Sequence, residues 1–273
     1  MECAWDDTFF SAYGSVIELG GQHRQAEGDP LRVVLSRLRV GVCLDEDLDL
    51  LNSTWTDAAE EWTDFQHLRA RTCDAKQFNE RRLAEVVGAA GSFTCRDEVP
   101  EPMEGEPPQA ERHSDLSQVA ADVVTAKVGA RVVCKMSFGA VKTGAHGIVL
   151  LFVPEVSVSC KSDSVGEPVQ MPFVKFSVMD AEEKELACRW QVPILLSWAV
   201  TVSRSQGMTI RKVAIDFSGT PWSLDGMVYS ALSRAVSRAS LRVRGLPRAH
   251  VKTSSCALAW YERARSERLI RCR

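Results

Sequence analysis

The sequence predicts an α/β fold interrupted by a small β-rich insertion, on three observations. Before residue 97, apolar residues recur at helical spacing. Between residues 121 and 190, short alternating apolar stretches punctuated by glycine suit the strands of a small barrel or curled sheet. After residue 190, a helix–strand–helix–strand order returns, which implies a sheet packed with helices. The α/β domain is thus expected in two parts, residues 1–120 and 191–250, around an insertion at 121–190, with a basic C-terminal helix over 251–273.

The first clear helix follows Asp29-Pro30. Asp29 can cap, Pro30 suits the first helical position and Gly41 suits the exit. Leu31, Val34, Leu35 and Leu38 make its apolar stripe. A second helix is expected after Asp45, with Leu48 and Leu51 on one side. A third starts near Asp74, with Gln77 as capping-box partner, and buries Phe78, Leu83, Val86, Val87 and Ala90 between its start and Gly88 and Gly91. Residues 92–96 read as a short strand. Residues 97–115 hold four prolines and many acids, so they read as a linker or mobile loop. Strands are expected over 131–134, 148–153, 156–160 and 174–178. Residues 194–206 are long enough for a helix, although their β-branched content leaves a strand open. A strand at 213–217, a helix at 225–235, a strand at 240–244 and an amphipathic helix at 255–271 follow, the last with Arg263, Arg265 and Arg268 outward.

Composition excludes several classes. The 273 residues are 45% hydrophobic and 25% charged, which is the texture of a globular chain rather than a disordered one or a coiled coil. No apolar run is long enough for a membrane-spanning helix, and the acidic N-terminus lacks a secretory pattern. Nine cysteines, an odd number with no Cys-x-x-Cys pair, suggest reduced thiols in an intracellular protein. Charge is unevenly spread. Residues 1–120 carry net −13, residues 121–273 net +10, and the stretch from Leu186 onward net +11. A basic half suits a polyanionic partner, and equally a solvated surface balanced by the acidic half.

Self-contained catalytic motifs are missing from the sequence. There is no Gly-x-x-x-x-Gly-Lys-Ser/Thr loop, no His-Glu-x-x-His helix and no Gly-x-Ser-x-Gly elbow. The five histidines are scattered and offer no metal-ligand spacing.

Two segments stand out. In the first, the apolar run from Leu195 ends in Ser203-Arg204-Ser205-Gln206-Gly207, where hydroxyls, a guanidinium and free backbone N–H groups suit phosphate contacts. A buried helix with an ordinary polar exit fits the same pattern. In the second, Met227, Val228, Ala231, Leu232 and Ala235 make an apolar stripe with Arg234 at its edge and Arg238 one turn later. An arginine on such a base can reach a γ-phosphate in trans, or simply keep its head in water at the rim.

Together these segments resemble motifs V and VI of the PIF (petite integration frequency) family of superfamily 1 DNA helicases. The family writes a Leu-Ala-Trp-Ala run into His-Lys-Ser-Gln-Gly, then Tyr-Val-Ala-Leu-Ser-Arg-Ala. Here the residues are Leu196-Ser197-Trp198-Ala199, then Ser203 to Gly207, then Tyr229-Ser230-Ala231-Leu232-Ser233-Arg234-Ala235. Gln22-His23-Arg24-Gln25 with residues 35–41 resembles motif IV. Thr72, Phe78-Asn79 and Leu83 resemble the next helical segment. Val128-Gly129-Ala130-Arg131-Val132 with Gly144 and Gly147 resembles the entry to the family's inserted barrel, and Gln191-Val192-Pro193-Ile194 the return from it.

The resemblance implies a RecA-like (P-loop NTPase-type) second motor domain with an inserted small Src-homology-3-like β-barrel. It implies the C-terminal half of an ATP-dependent helicase moving 5′ to 3′, with single-stranded DNA as partner. It places ATP and Mg2+ mainly on an N-terminal RecA-like lobe that has no counterpart in this sequence. Arg24 and Arg234 become the γ-phosphate arginines, Gln206 and Gly207 the nucleotide coupling, and Ser203, Arg204, Ser205 and Gln206 the DNA contacts. The sequence has Ser203 and Arg204 where the family has His and Lys, and Thr143-Gly144 where it has Asn-Gly. A nuclear or mitochondrial setting is implied if the source is eukaryotic. The alternative is a non-catalytic remnant that binds nucleic acid or a partner. By itself, this chain is not expected to hydrolyse ATP.

Overall fold

A computed structural model describes residues 16–18, 23–56, 64–103, 105–153, 156–162, 167–219, 221–266 and 270–272. Strand β1 (Val16–Glu18) precedes helices α1 (Pro30–Arg39) and α2 (Asp45–Asn52), strand β2 (Gln66–Arg69) and helix α3 (Thr72–Glu85). A β-rich stretch follows, with β3 (Ala90–Thr94), β4 (Arg96–Glu98), helix α4 (Gln109–Val119), β5 (Val123–Lys127) and β6 (Arg131–Cys134). It continues through β7 (His146–Val153), β8 (Ser157–Ser162), β9 (Pro168–Pro172), β10 (Val174–Met179), β11 (Glu185–Gln191) and β12 (Ile194–Leu196). The last elements are β13 (Ala199–Thr201), α5 (Val202–Ser205), β14 (Val213–Asp216), α6 (Met227–Leu232), β15 (Leu241–Arg244), α7 (Ser255–Ser266) and β16 (Ile270–Cys272).

The chain divides into two compact units, residues 1–75 with 199–273, and residues 76–198. The boundaries expected from sequence, at 120 and 190, both fall inside the second unit. Residues 76–120 belong with the insertion because β3 pairs with β5 and β4 pairs with β11, two ladders that no local pattern announces.

The first unit is built on a four-stranded, all-parallel sheet in the order β13-β2-β14-β15. Strand alternation sends Val213, Ile215, Leu241 and Val243 into one core, while Ala214 and Arg242 face the other way. Leu31, Val34, Leu35 and Leu38 of α1 fill that core, as expected from their spacing, with Val228, Ala231 and Leu232 of α6. Each such aliphatic side chain contributes about 1.5–3 kcal/mol on burial. Asp29 caps α1 by accepting from the Leu31 N–H at 2.8 Å. It also accepts from the Arg238 N–H, tying the helix start to the chain beyond α6.

The second unit holds an antiparallel five-stranded sheet, β12-β6-β7-β8-β9, a three-stranded sheet, β10-β11-β4, and the β3-β5 pair. Phe93, Ala126, Val132, Val149, Val158, Cys160, Met171, Ile194 and Trp198 share its core.

Residues 194–206, open between helix and strand in the sequence, form β12, β13 and a single helical turn. Two expectations need correction. Helix α3 starts at Thr72, so Asp74 lies inside its first turn and binds Arg71 Nε at 3.0 Å instead of capping; Val87 lies beyond its end and is fully exposed. Residues 97–115 are not a mobile linker. Their composition is poor in apolar residues, but two buried arginines do the work of a core. Arg112 donates to the carbonyls of Pro107, Pro100 and Leu186 at 2.9, 3.2 and 3.0 Å and pairs with Glu106. Arg189 on β11 grips Asp97 through two 2.6 Å bonds, pairs with Asp122 and donates to the Ala120 carbonyl at 2.8 Å.

Hydrogen bonds from Lys184, the Met103 N–H and Arg112 hold the Glu106 carboxyl at about 2. A depressed carboxylate stabilises the fold above its ordinary value and loses that contribution as pH falls towards the folded one. Glu106→Gln is therefore expected to destabilise the protein at pH 7 and to match wild type below about pH 2, a convergence that acid unfolding curves would reveal.

Among the described residues, Cys43, Cys73, Cys95, Cys134, Cys160 and Cys188 are free thiols. Cys256 is disulfide-bonded, which the odd, scattered cysteine pattern did not suggest. No helix among the described residues is long and apolar enough to cross a membrane. Of the arginines expected on the terminal helix, Arg263 is exposed; the side chain of Arg265 and all of Arg268 lie outside the described residues.

Candidate functional site

Three segments of the first unit converge near the start of β14. One is the stretch just before α1, with Arg24 and Gln25. Another is the turn after α5, ending at Ile210. The last is the exit of α6, from Ser233 to Ala235. A parallel bridge between Ile210 and Ala235 fastens the second to the third. Helix α6 starts on Gly226, whose positive φ of 72° suits glycine, and ends at Leu232, so Arg234 sits in the turn beyond it.

Arg24 donates from Nε to Thr209 Oγ1 at 3.2 Å and from Nη1 to the Ser233 carbonyl at 2.8 Å. Arg234 donates from Nε to the Ser230 carbonyl at 3.0 Å, from Nη1 to the Met208 carbonyl at 3.4 Å and from Nη2 to Ser233 Oγ at 2.9 Å. Buried Gln25 donates to the Ala235 carbonyl at 2.6 Å and locks the first segment on the third. The two sequence-predicted arginines, separated by more than two hundred residues, are thus neighbours anchored on a common turn.

The electrostatics of this pair are unusual. Burial, and then the charge of Arg24, push the Arg234 guanidinium below its ordinary value. Among the described residues neither arginine forms an ion pair with a carboxylate. A guanidinium has five N–H donors. The bonds above occupy two on Arg24 and three on Arg234, leaving donors on both for a further acceptor. Two close positive charges, held on neutral carbonyls and hydroxyls, can bind an oxyanion bidentately. No group of three or more His, Cys, Asp or Glu among the described residues could hold a metal ion.

The segment from Ser203 to Gly207 lies next in the chain after β13. Thr201 Oγ1 caps α5 by accepting from the Arg204 N–H at 3.4 Å, and Gly207, at φ 79°, turns the chain out of it. Ser203, Arg204, Gln206 and Gly207 are exposed. Ser205 is fully buried and donates to the Val202 carbonyl at 2.8 Å, so it is corrected from a DNA contact to an internal bond.

Arg238 is also not where the sequence put it. It was expected one helical turn beyond Arg234, but α6 has already ended. Arg238 instead donates from Nη2 to Ser53 Oγ at 3.1 Å, just after α2. The sequence alone assigns no role to the partners Gln25, Thr209 and Ser233, although Gln25 and Ser233 lie in the motifs that carry the family resemblance. Their roles depend on acceptors brought close by folding, carbonyls for Gln25 and Ser233 and hydroxyls for Thr209 and Ser233, for which no residue pattern is a signal.

No family model matches the chain. The ATP-dependent DNA helicase PIF1 of Homo sapiens is 30% identical over 268 residues, covering 93% of this chain and 38% of that protein. The ATP-dependent DNA helicase PIF6 of Trypanosoma brucei brucei is 34% identical over 145 residues, covering 50% of this chain and 18% of that protein. Among solved structures, Pif1 helicase from Candida albicans superposes with a TM-score of 0.74 at 25% identity, covering 90% of this chain and 60% of that one. A Bacteroides Pif1 complex with ADP-AlF3 and single-stranded DNA shares the fold with a TM-score of 0.73 at 21% identity, covering 96% of this chain and 60% of its own. The chain therefore spans under two fifths of the human relative.

Proposed function

Because the chain belongs to the PIF1 helicase family, we propose that it works as the C-terminal motor half of an ATP-dependent, 5′ to 3′ DNA helicase. In this reading residues 1–75 and 199–273 form the second RecA-like lobe, and residues 76–198 carry the Src-homology-3-like barrel. The observation that carries the proposal is the pairing of Arg24 and Arg234, two guanidinium groups fixed side by side with donors to spare and, among the described residues, no carboxylate to neutralise them. Such a pair suits the γ-phosphate of a nucleotide held by another lobe.

The residues divide the work as follows. Arg24 and Arg234 offer planar forks to phosphate oxygens, where their mutual repulsion becomes attraction for the anion. ATP supplies the phosphoryl group, and charge builds on its γ-oxygens during transfer. In this reading Mg2+ is held with the ATP phosphates on the other lobe. Gln206 and Gly207 end the short turn that leads to Met208, whose carbonyl accepts from Arg234, and this supports a coupling role. Exposed Ser203, Arg204 and Gln206 are suited to single-stranded DNA. An intracellular site of action, nuclear or mitochondrial in a eukaryote, goes with this reading.

Fluorescence anisotropy with a labelled single-stranded oligonucleotide tests the DNA half of the proposal. With about four phosphate contacts, affinity should fall about 50-fold between 50 and 200 mM salt. Arg204→Ala should flatten that slope by about one contact. Binding that ignores salt, or an Arg204→Ala slope equal to wild type, would count against the assignment.

A further inference from the structure

We infer that Ser233 is the positioning residue that sets both guanidinium groups in one register. The inference rests on reading Arg24 and Arg234 as a single oxyanion site. Ser233 is 5% exposed and sits at the end of α6. Its backbone carbonyl accepts from Arg24 Nη1 at 2.8 Å and from Gln25 Nε2 at 3.5 Å. Its hydroxyl donates to the Ser230 carbonyl at 3.0 Å and accepts from Arg234 Nη2 at 2.9 Å. One residue therefore touches both arginines, one through the backbone and the other through the side chain.

The hydroxyl has a role that the neighbouring carbonyls cannot take over. Arg234 Nε and Nη1 are held by the carbonyls of Ser230 and Met208, and Ser233 Oγ is the side-chain atom that fixes the far end of the fork. The Ser230 carbonyl takes both the Ser233 hydroxyl and Arg234 Nε, so the hydroxyl proton points away from Arg234 and leaves a lone pair for Nη2. Without that lone pair, Nη2 loses its acceptor, only the Nε and Nη1 bonds remain, and mutual repulsion can turn the guanidinium away from Arg24. The Ser233 carbonyl stays in place for Arg24. Loss of the hydroxyl should therefore disturb one arginine and spare the anchorage of the other, which an ordinary helix-end serine would not do.

The test uses the chain as it stands, labelled with nitrogen-15 arginine, and titrates inorganic tripolyphosphate while the Nε–H signals are followed by NMR. In wild type, the signals of Arg24 and Arg234 should move along one saturable curve. Ser233→Ala should weaken that affinity about tenfold, the scale of one lost bond to a charged group, and separate the two curves. Ser233→Thr, which keeps the hydroxyl, should restore one curve at wild-type affinity. Ser233→Cys, of similar size but a weak acceptor, guards against a misfolded alanine variant and should bind several-fold more weakly than wild type. A drop in melting temperature with unchanged affinity in Ser233→Ala or Ser233→Cys would make Ser233 merely structural and overturn the inference alone. If wild type shows no saturable response, the oxyanion site itself fails, and the positioning role fails with it.

Discussion

Arg234→Ala, in a protein that joins this chain to a nucleotide-binding first lobe, is expected to lower ATP turnover by about 10³-fold or more while changing nucleotide affinity little. The reason is timing. A guanidinium that meets charge as it develops on the γ-phosphate stabilises the transition state more than the bound nucleotide, and trans arginines in phosphoryl transfer are worth about 10³–10⁵ in rate. Arg234→Lys should not rescue, because its fork is fixed at three points, Nε, Nη1 and Nη2, and an ammonium cannot meet three separate acceptors in that plane while facing an oxyanion. Arg238→Ala is not a suitable control, since it would break the side-chain bond to Ser53 that braces the fold. Arg32→Ala, on α1 outside the motif IV stretch and not among the helix's buried residues, is the control and should leave turnover within about twofold. Steady-state kinetics with matched melting curves decide the matter. A raised KM with unchanged kcat, or full activity in Arg234→Lys, would reduce Arg234 to a rim residue.

How much of this could be read beforehand depended on whether the information was local. Helix α1 was legible because a cap, a first-turn proline and four apolar residues at i, i+3, i+4 and i+7 all agree, and the structure buries those four. The run from Ile194 stayed open between helix and strand because it holds two three-residue strands, β12 and β13, each at the edge of a different sheet, and pieces that short have no period to show. Residues 97–115 were misread for a different reason. Their order comes from Arg112 and from Arg189, the latter some seventy residues downstream of the segment, and composition cannot reveal a remote guanidinium. At the site, Arg234 stood out at the edge of an apolar stripe, whereas Arg24 was reached only through a family likeness. The same likeness gave no role to Gln25, Thr209 or Ser233, which act largely on or through main-chain oxygens. Arg238 was misplaced by extending a helical period past Leu232, where the chain leaves the helix so that Ala235 can pair with Ile210.

The second large effect is structural and lies in the other unit. Arg189→Met is expected to destabilise residues 76–198 by about 3 kcal/mol, because removing one partner of a buried pair strands the other. Arg189 is 3% exposed and Asp97 18%, so Asp97 bears most of the loss; Asp122, at 68%, can turn to water. The Ala120 carbonyl and the segment leading to α4 also lose their tie to β11. Arg189 bonds hold the Asp97 carboxyl below its ordinary value, with burial working against them. The sign follows. A depressed carboxylate contributes above its unfolded value and ceases to contribute as pH falls through the folded one, so the gap between wild type and Arg189→Met should shrink in acid. Adding Asp97→Leu should recover part of the loss at pH 7, since two apolar side chains leave no stranded charge. Urea unfolding followed by tryptophan fluorescence, with Trp190 beside the mutated position, measures all three proteins at two pH values. Equal midpoints for wild type and Arg189→Met at pH 7 would mean that the acidic segment is held by something other than this arginine.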